Sequence, residues 1–291
     1  VDTLRIACAH DVMYAPQYAG VSAGLFAEQS ILLEFHRNNG TCEGTVGAVN
    51  RGEVDLLLGT CLYGVRLAET GVNPVIVAQS NQQTRHVLAQ RATDLHDLQW
   101  SGLRGKAILV HPGQTPTAWA AFTYALNRSG LSLGEVKPIV GYTAEDAIGE
   151  FLRGVGDVLF VDGDSALRND LRITLPVSRQ AGRLPWSVYM VDRRQLEPKR
   201  ELLLRFDKAL DNSLKWLRGE TTETIARALA PFFPHFSAER LLAIVQLHRD
   251  LDLWAQSSAL QLDQVRRWSE ALELGGLIAP GRQLRDYLDV L

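Results

Sequence analysis

The side chains that could do chemistry are few. The chain has 7 histidines and 3 cysteines. His10 and His111 each stand just past an apolar, strand-like run. An imidazole there could move a proton or hold a ligand, although a loop histidine bonded to backbone is the simpler reading. His36 sits at a strand end, and His235 and His248 fall in helical segments, where packing or solvation accounts for them. Cys8, Cys42 and Cys61 form no C-x-x-C and no zinc-like spacing with histidine. Their odd number argues against a pure disulfide framework and leaves any pairing open. No G-x-S-x-G, H-E-x-x-H or G-x-x-x-x-G-K-[ST] occurs. Glu145 and Asp146 open a helix, where carboxylates complement the helix dipole. No catalytic set, metal site or cofactor motif emerges.

Binding groups are better represented. Polar and aromatic residues gather where apolar runs end. After the first run come His10 and Tyr14, and after the second Asn39, Gly40 and Thr41. Thr60 and Cys61 follow the third, and Arg85 follows the fourth within "QSNQQTR". Later, "VHPGQTPTAW" brings Gly113, Gln114 and Thr115, "VDGD" brings Asp162, and "RLPWSVY" brings Trp186. Small polar residues ahead of a helix leave backbone N–H groups for a bound acceptor. Each has a plainer role beside that one. Thr41, Thr60 and Thr115 can cap helices, Tyr14 and Trp186 can be core aromatics, and Cys61 can be a buried thiol. The prolines beside Tyr14 and Trp186 favour a loop at a cleft wall. Trp119 and Phe122 recur at helical spacing and read as packing.

These loops need strands and helices to hold them. "LRIACA", "LLEFHR", "VDLLLGT" and "PVIVAQS" read as strands. Helical patterns separate them, ended by Gly24, Gly52 and Gly71. The order βαβαβαβ predicts a mostly parallel sheet covered by helices. A polar stretch, "DLHDLQWSGLRGK", precedes a second α/β series: "AILVHPG", "TAWAAFTYALNRSG", "VKPIVGY", "AEDAIGEFLRG" and "DVLFVDG". From Glu197 onward the pattern is almost wholly helical. The fold class is therefore α/β, two-lobed, with mixed, mostly parallel sheets and a helical C-terminal tail. Ligands in such sheets bind outside the carboxyl ends of strands, and lobe junctions form clefts.

Length and charge exclude some partners. The chain has 291 residues, 46% hydrophobic and 22% charged, with a formal net charge of -3. That balance gives no general attraction to nucleic acid or anionic lipid. No apolar stretch approaches the roughly 20 residues of a membrane span.

The chain resembles a known family. "YAPQYAGVSAGLFAEQSILLEF" is similar to the opening of NMT1/THI5-like and sulfonate-, nitrate- and taurine-type substrate-binding proteins. "AVNRGEVDLLLGT", "GLRGKAILVHPGQTP", "FLRGVGDVLFVDG" and "MVDRRQLEPKRELLLRFDKALDNSLKWL" resemble later segments of that family, in order over nearly the whole chain. The resemblance implies a type II periplasmic-binding-protein fold. Lobe one would take 1–82 and 191–291, and lobe two 83–190. It further implies a monomer that captures a small molecule in the inter-lobe cleft and passes it to an ABC permease and ATPase. The expected ligand is an aromatic, heterocyclic, sulfonate or carboxylate compound. The expected location is periplasmic or otherwise extracytoplasmic, with a signal peptide removed.

The family also contains pyrimidine synthases, which carry a Lys and, four residues on, a His after the third strand. Here Gly59 and Tyr63 stand there. Their cysteine-rich run is also absent from "GRLPWSVYMV". An enzyme on the same fold, synthase-like or a lyase, and a ligand-sensing domain stay as alternatives.

Overall fold

The structure is a computed structural model that describes residues 1–36, 41–94, 96–286 and the backbone of 289–290. In chain order, β1 (Asp2–Ala7), α1 (Ala15–Ser22), β2 (Ile31–His36), α2 (Cys42–Asn50), β3 (Leu56–Gly59), α3 (Cys61–Glu69) and β4 (Pro74–Asn81) form the first series. The second runs β5 (His86–Gln90), β6 (Ala107–Leu109), α4 (Pro116–Arg128), β7 (Lys137–Ile139), α5 (Ala144–Leu152), β8 (Val158–Asp162), α6 (Gly163–Arg168), β9 (Arg172–Pro176) and α7 (Val177–Ala181). Then come β10 (Ser187–Asp192), α8 (Arg193–Leu196), α9 (Arg200–Gly219), α10 (Thr222–Leu229), α11 (Ala238–Asp250), α12 (Leu262–Leu274) and β11 (Asp289–Val290).

The chain divides into two units. Unit one holds 1–82, 185–266 and 283–291, and unit two holds 83–184 and 267–282.

Unit one contains a sheet of order β11-β4-β10-β3-β1-β2. β1, β2 and β3 are parallel, as the alternation of strands and helices requires. β10 runs against both β3 and β4, placing Ser187 beside Asn81 and Val188 beside Gly59. The carboxyl ends of β1, β3 and β4 and the amino end of β10 therefore share one edge. Helix α1 stops at Ser22 because Gly24 turns left-handed, φ 75°. Its face packs on α9 and α10, and Ser213 donates to the Pro16 carbonyl. Tyr18, Phe26, Tyr189, Phe206 and Phe233 are fully buried around these contacts.

Unit two has the sheet order β7-β6-β8-β5-β9, with β5 antiparallel to β8 and β9. Phe122, Phe151, Phe160 and Trp268 are fully buried there.

Two stretches fall on the other side of the lobe boundary from that expected. Residues 185–190 belong with unit one, because β10 fills the gap between β3 and β4. The end of the helical tail, 267–282, belongs with unit two. Arg267 donates to the Arg183 carbonyl (2.7 Å), and Gly275 lies so close to α4 that a Cβ there would approach Ala120 to 2.5 Å. β5 and β9 are strands that the sequence reading passed over. Each begins and ends on a polar residue or proline, His86 and Gln90 or Arg172 and Pro176, so neither shows the continuous apolar run that marks β3 and β8.

Candidate functional site

Each unit offers a strand-end edge, and their chemistry differs. In unit one, Tyr14 follows β1 and is buried at 6% exposure. Burial pushes its phenol well above the usual tyrosine range, and the neighbouring Tyr63, itself pushed up to about 12, adds to the shift. Gln17 and Tyr189, both fully buried, bond at 3.2 Å, and Gln17 also donates to the Cys8 sulfur at 3.3 Å. The Asn81 and Trp254 side chains both donate to the Met13 carbonyl, at 3.0 and 3.2 Å. The Asn81 Oδ1 and Thr60 Oγ1 are buried without a partner. Burial of a polar atom without a bond costs about 1–3 kcal/mol, so such atoms need an explanation.

Unit two presents ions. His86 opens β5 and pairs across the ladder with Asp162, the last residue of β8. The His86 backbone N–H donates to Thr84 Oγ1 (3.2 Å), and the same hydroxyl oxygen lies 3.1 Å from His86 Nδ1. Burial pushes His86 down to about 3, so the ring is neutral. Its ring stacks on Phe160 (5.2 Å between centroids), and His111 approaches the same phenyl at 6.1 Å. His111 is 3% exposed, burial also lowers its pKa, and its Nδ1 has no partner. Asp162 caps α6 by accepting from Ser165 N at 2.9 Å. Burial, the largest single influence, would raise its pKa, but Arg85, His86 and the Ser165 hydrogen bond together hold it below the usual carboxylate range. Arg85 pairs with Asp164 at 2.7 Å.

No family model matches the chain. Its backbone superposes on the aliphatic sulphonate binding protein SsuA from Escherichia coli with a TM-score of 0.75 at 15% identity, covering 99% of this chain and 97% of that one. SsuA from Xanthomonas axonopodis, bound to MOPS, gives 0.67 at 13%, covering 99% and 98%. The fold is that of the SsuA-type periplasmic binding proteins. A cysteine-to-serine mutant of DSZB in complex with biphenyl-2-sulfinic acid shares it, with a TM-score of 0.68 at 12% identity over 99% and 96%. In sequence, the chain is 20% identical over 230 residues to YtlA of Bacillus subtilis, whose description as a binding protein is itself provisional. That match covers 77% of this chain and 68% of YtlA.

In this periplasmic-binding fold the expected contacts separate by their own hydrogen bonds. His10 is committed: Nε2 lies 2.8 Å from the Phe232 carbonyl and Nδ1 3.3 Å from the Tyr18 hydroxyl, so the ring ties the loop after β1 to the tail. Thr41 caps α2 through Gly44 N at 3.0 Å. Thr60 occupies the same position before α3 and makes no cap bond. Cys61 is fully buried, its thiol 3.5 Å from the Pro185 carbonyl. Trp186 is 4% exposed, and its backbone N–H donates to Asn81 O. Asn39 and Gly40 lie outside the described residues.

In unit two, Arg85 and Asp162 meet in the ionic set. Gly113 and Gln114 are exposed, and Gln114 Oε1 accepts from Ala144 N at the start of α5 (2.7 Å). Thr115 does not cap α4; its hydroxyl turns back to the His111 carbonyl at 3.3 Å. Sequence reasoning missed His86 because β5 went unread, and it passed over Asp164 although that residue stands two positions after Asp162 in "VDGD". It also missed Gln17 and Asn81, which look like ordinary polar residues until the sheet brings them to one edge. None of the three cysteines is joined in a disulfide.

Proposed function

We propose that this protein is a solute-binding protein that captures a small organic ligand at the carboxyl ends of its strands and delivers it to an ABC permease and ATPase. The reading includes an extracytoplasmic location. The observation that carries it is the set of buried, unpartnered polar atoms at strand edges, Thr60 Oγ1, Asn81 Oδ1 and His111 Nδ1, on a fold shared with sulfonate binders. Polar groups of a ligand bound at either edge would satisfy the orphaned atoms of that edge. Among the described residues no helix is long and apolar enough to cross a membrane.

Two observations speak against chemistry on the ligand. An added Cβ at Gly59 would come within 2.5 Å of the Tyr63 ring, so the synthase lysine has no room there. Burial pushes the Cys8 and Cys42 thiols up to about 11 and Cys61 is fully buried, which disfavours thiolate nucleophiles.

Native mass spectrometry of the gently purified protein tests the proposal. A small molecule should travel with the folded chain, leave on denaturation and rebind unchanged. Chemical conversion of that molecule, or an empty protein that takes up nothing from a soluble cell extract, would overturn it.

A further inference from the structure

The charge at the unit-two edge identifies what kind of group docks there. One guanidinium, Arg85, faces two carboxylates, Asp162 and Asp164, and already bonds one of them. The largest electrostatic influences on His86 come from Asp162, Arg85, His111 and Asp164. Both imidazoles are held neutral by burial. The set therefore carries a net single negative charge.

A sulfonate or carboxylate would have to pull Asp164 away from Arg85, or force a proton onto a histidine that burial keeps neutral. Both cost free energy, because an unpaired charge out of water is poorly tolerated. A hydrogen-bond donor needs neither change. Asp162 uses one oxygen on Ser165 N, and a carboxylate has about four acceptor sites. Independent of these ions, Gln83 Oε1 is a buried acceptor without a partner, on the lead-in to β5 and 6% exposed. His111 Nδ1 is a second buried ring atom without one, beside the same Phe160 that carries His86.

We infer that the strand-end edge of unit two selects an amine or amidine group over a sulfonate or carboxylate. This rests on the solute-binding reading and narrows its ligand class away from that of the sulfonate binders whose fold it shares. The donor group bonds Asp162, and Gln83 Oε1 and, in the tautomer with its proton on Nε2, His111 Nδ1 offer acceptors for its remaining N–H groups.

Calorimetric titration at pH 7.5 with benzylamine, benzamidine, benzenesulfonate and benzoate tests this. Both nitrogen bases should bind, and both anions should bind at least ten-fold more weakly. Asp162→Asn should weaken the bases at least ten-fold while the protein stays folded, because Asn caps α6 as well as Asp does. Converting both carboxylates, Asp162→Asn with Asp164→Asn, reverses the sign of the set and should raise benzenesulfonate affinity at least ten-fold. The inference is overturned by either anion binding wild type as tightly as the bases, by bases that ignore Asp162→Asn, or by bases that do not bind. Tight benzenesulfonate binding would leave the solute-binding reading standing, whereas that reading falls with the native mass spectrometry.

Discussion

The two strand-end edges come from the same kind of fold element and carry different chemistries. In unit one the edge is made mainly of aromatic rings, thiols and amides with His10 and one carboxylate, Asp11, and its described loops 8–14, 60–63 and 185–187 contain no Lys or Arg. In unit two the edge is ionic, with Arg85, Asp162 and Asp164 around two neutral imidazoles. The difference teaches that strand ends of one fold type can be lined by unlike groups. The backbone brings loops together, and the side chains decide the sign.

The largest expected effect comes from removing the ring on which unit two's histidines rest. Phe160 is fully buried and touches the rings of His86, His111, Trp119 and Phe122. Phe160→Ala should destabilise the protein by about 3–5 kcal/mol through cavity formation. Equilibrium urea unfolding measures this; a loss below about 1 kcal/mol would show that the histidines do not depend on that wall.

Next comes a pH dependence that only the ionic edge should show. Folded His86 titrates near 3 and an unfolded histidine near 6.5. Between those values the unfolded chain holds the extra proton, so stability is full above about pH 6.5 and falls as pH drops toward 3. His86→Gln should flatten the slope of unfolding free energy between pH 6.5 and 4. An unaltered slope would mean that other groups generate it. Asp162, with its pKa held low, affects a more acidic window, below its ordinary value of 3.8.

A smaller effect separates capping from binding within unit one. Thr41→Ala should cost about 1 kcal/mol of stability and leave ligand affinity alone, because its hydroxyl caps α2. Thr60→Ala should leave stability unchanged or slightly raised and weaken the co-purifying ligand several-fold, because its buried hydroxyl has no partner. Equal behaviour of the two variants in melting and titration would erase this distinction.

The smallest concerns the thiols. Cys42 is half-buried while Cys8 and Cys61 are buried. A thiol-reactive reagent added to native protein should label Cys42 first, and more slowly than a free thiol, given its raised pKa. Faster labelling of Cys8, read by peptide mapping, would show that the unit-one edge opens.

Much of the fold was legible in the sequence, for a physical reason. Alternation of apolar residues and glycine stops such as Gly24, Gly52 and Gly71 act within a few residues, so the strands and helices of both series could be read locally. The segments that went unread, β5 and β9, begin and end on His86, Gln90, Arg172 and Pro176, so neither shows a continuous apolar run. Of the site, sequence could nominate strand-end positions, because topology sends those loops to one edge. It could not tell Thr41 from Thr60, which stand at equivalent helix starts and differ only in whether the hydroxyl finds Gly44 N. Nor could it see that both nitrogens of His10 are taken, by residues 8 and 222 positions away.

By itself the sequence determined the alternating α/β order, the helical tail and the absence of any metal or catalytic motif, since each is a matter of local pattern. Tertiary structure alone decided which sheet claims β10, which unit claims 267–282, and that Arg85 meets two carboxylates. Those outcomes depend on contacts between residues far apart in the chain, and the charge of a site is a sum over side chains that only folding brings within reach of one another.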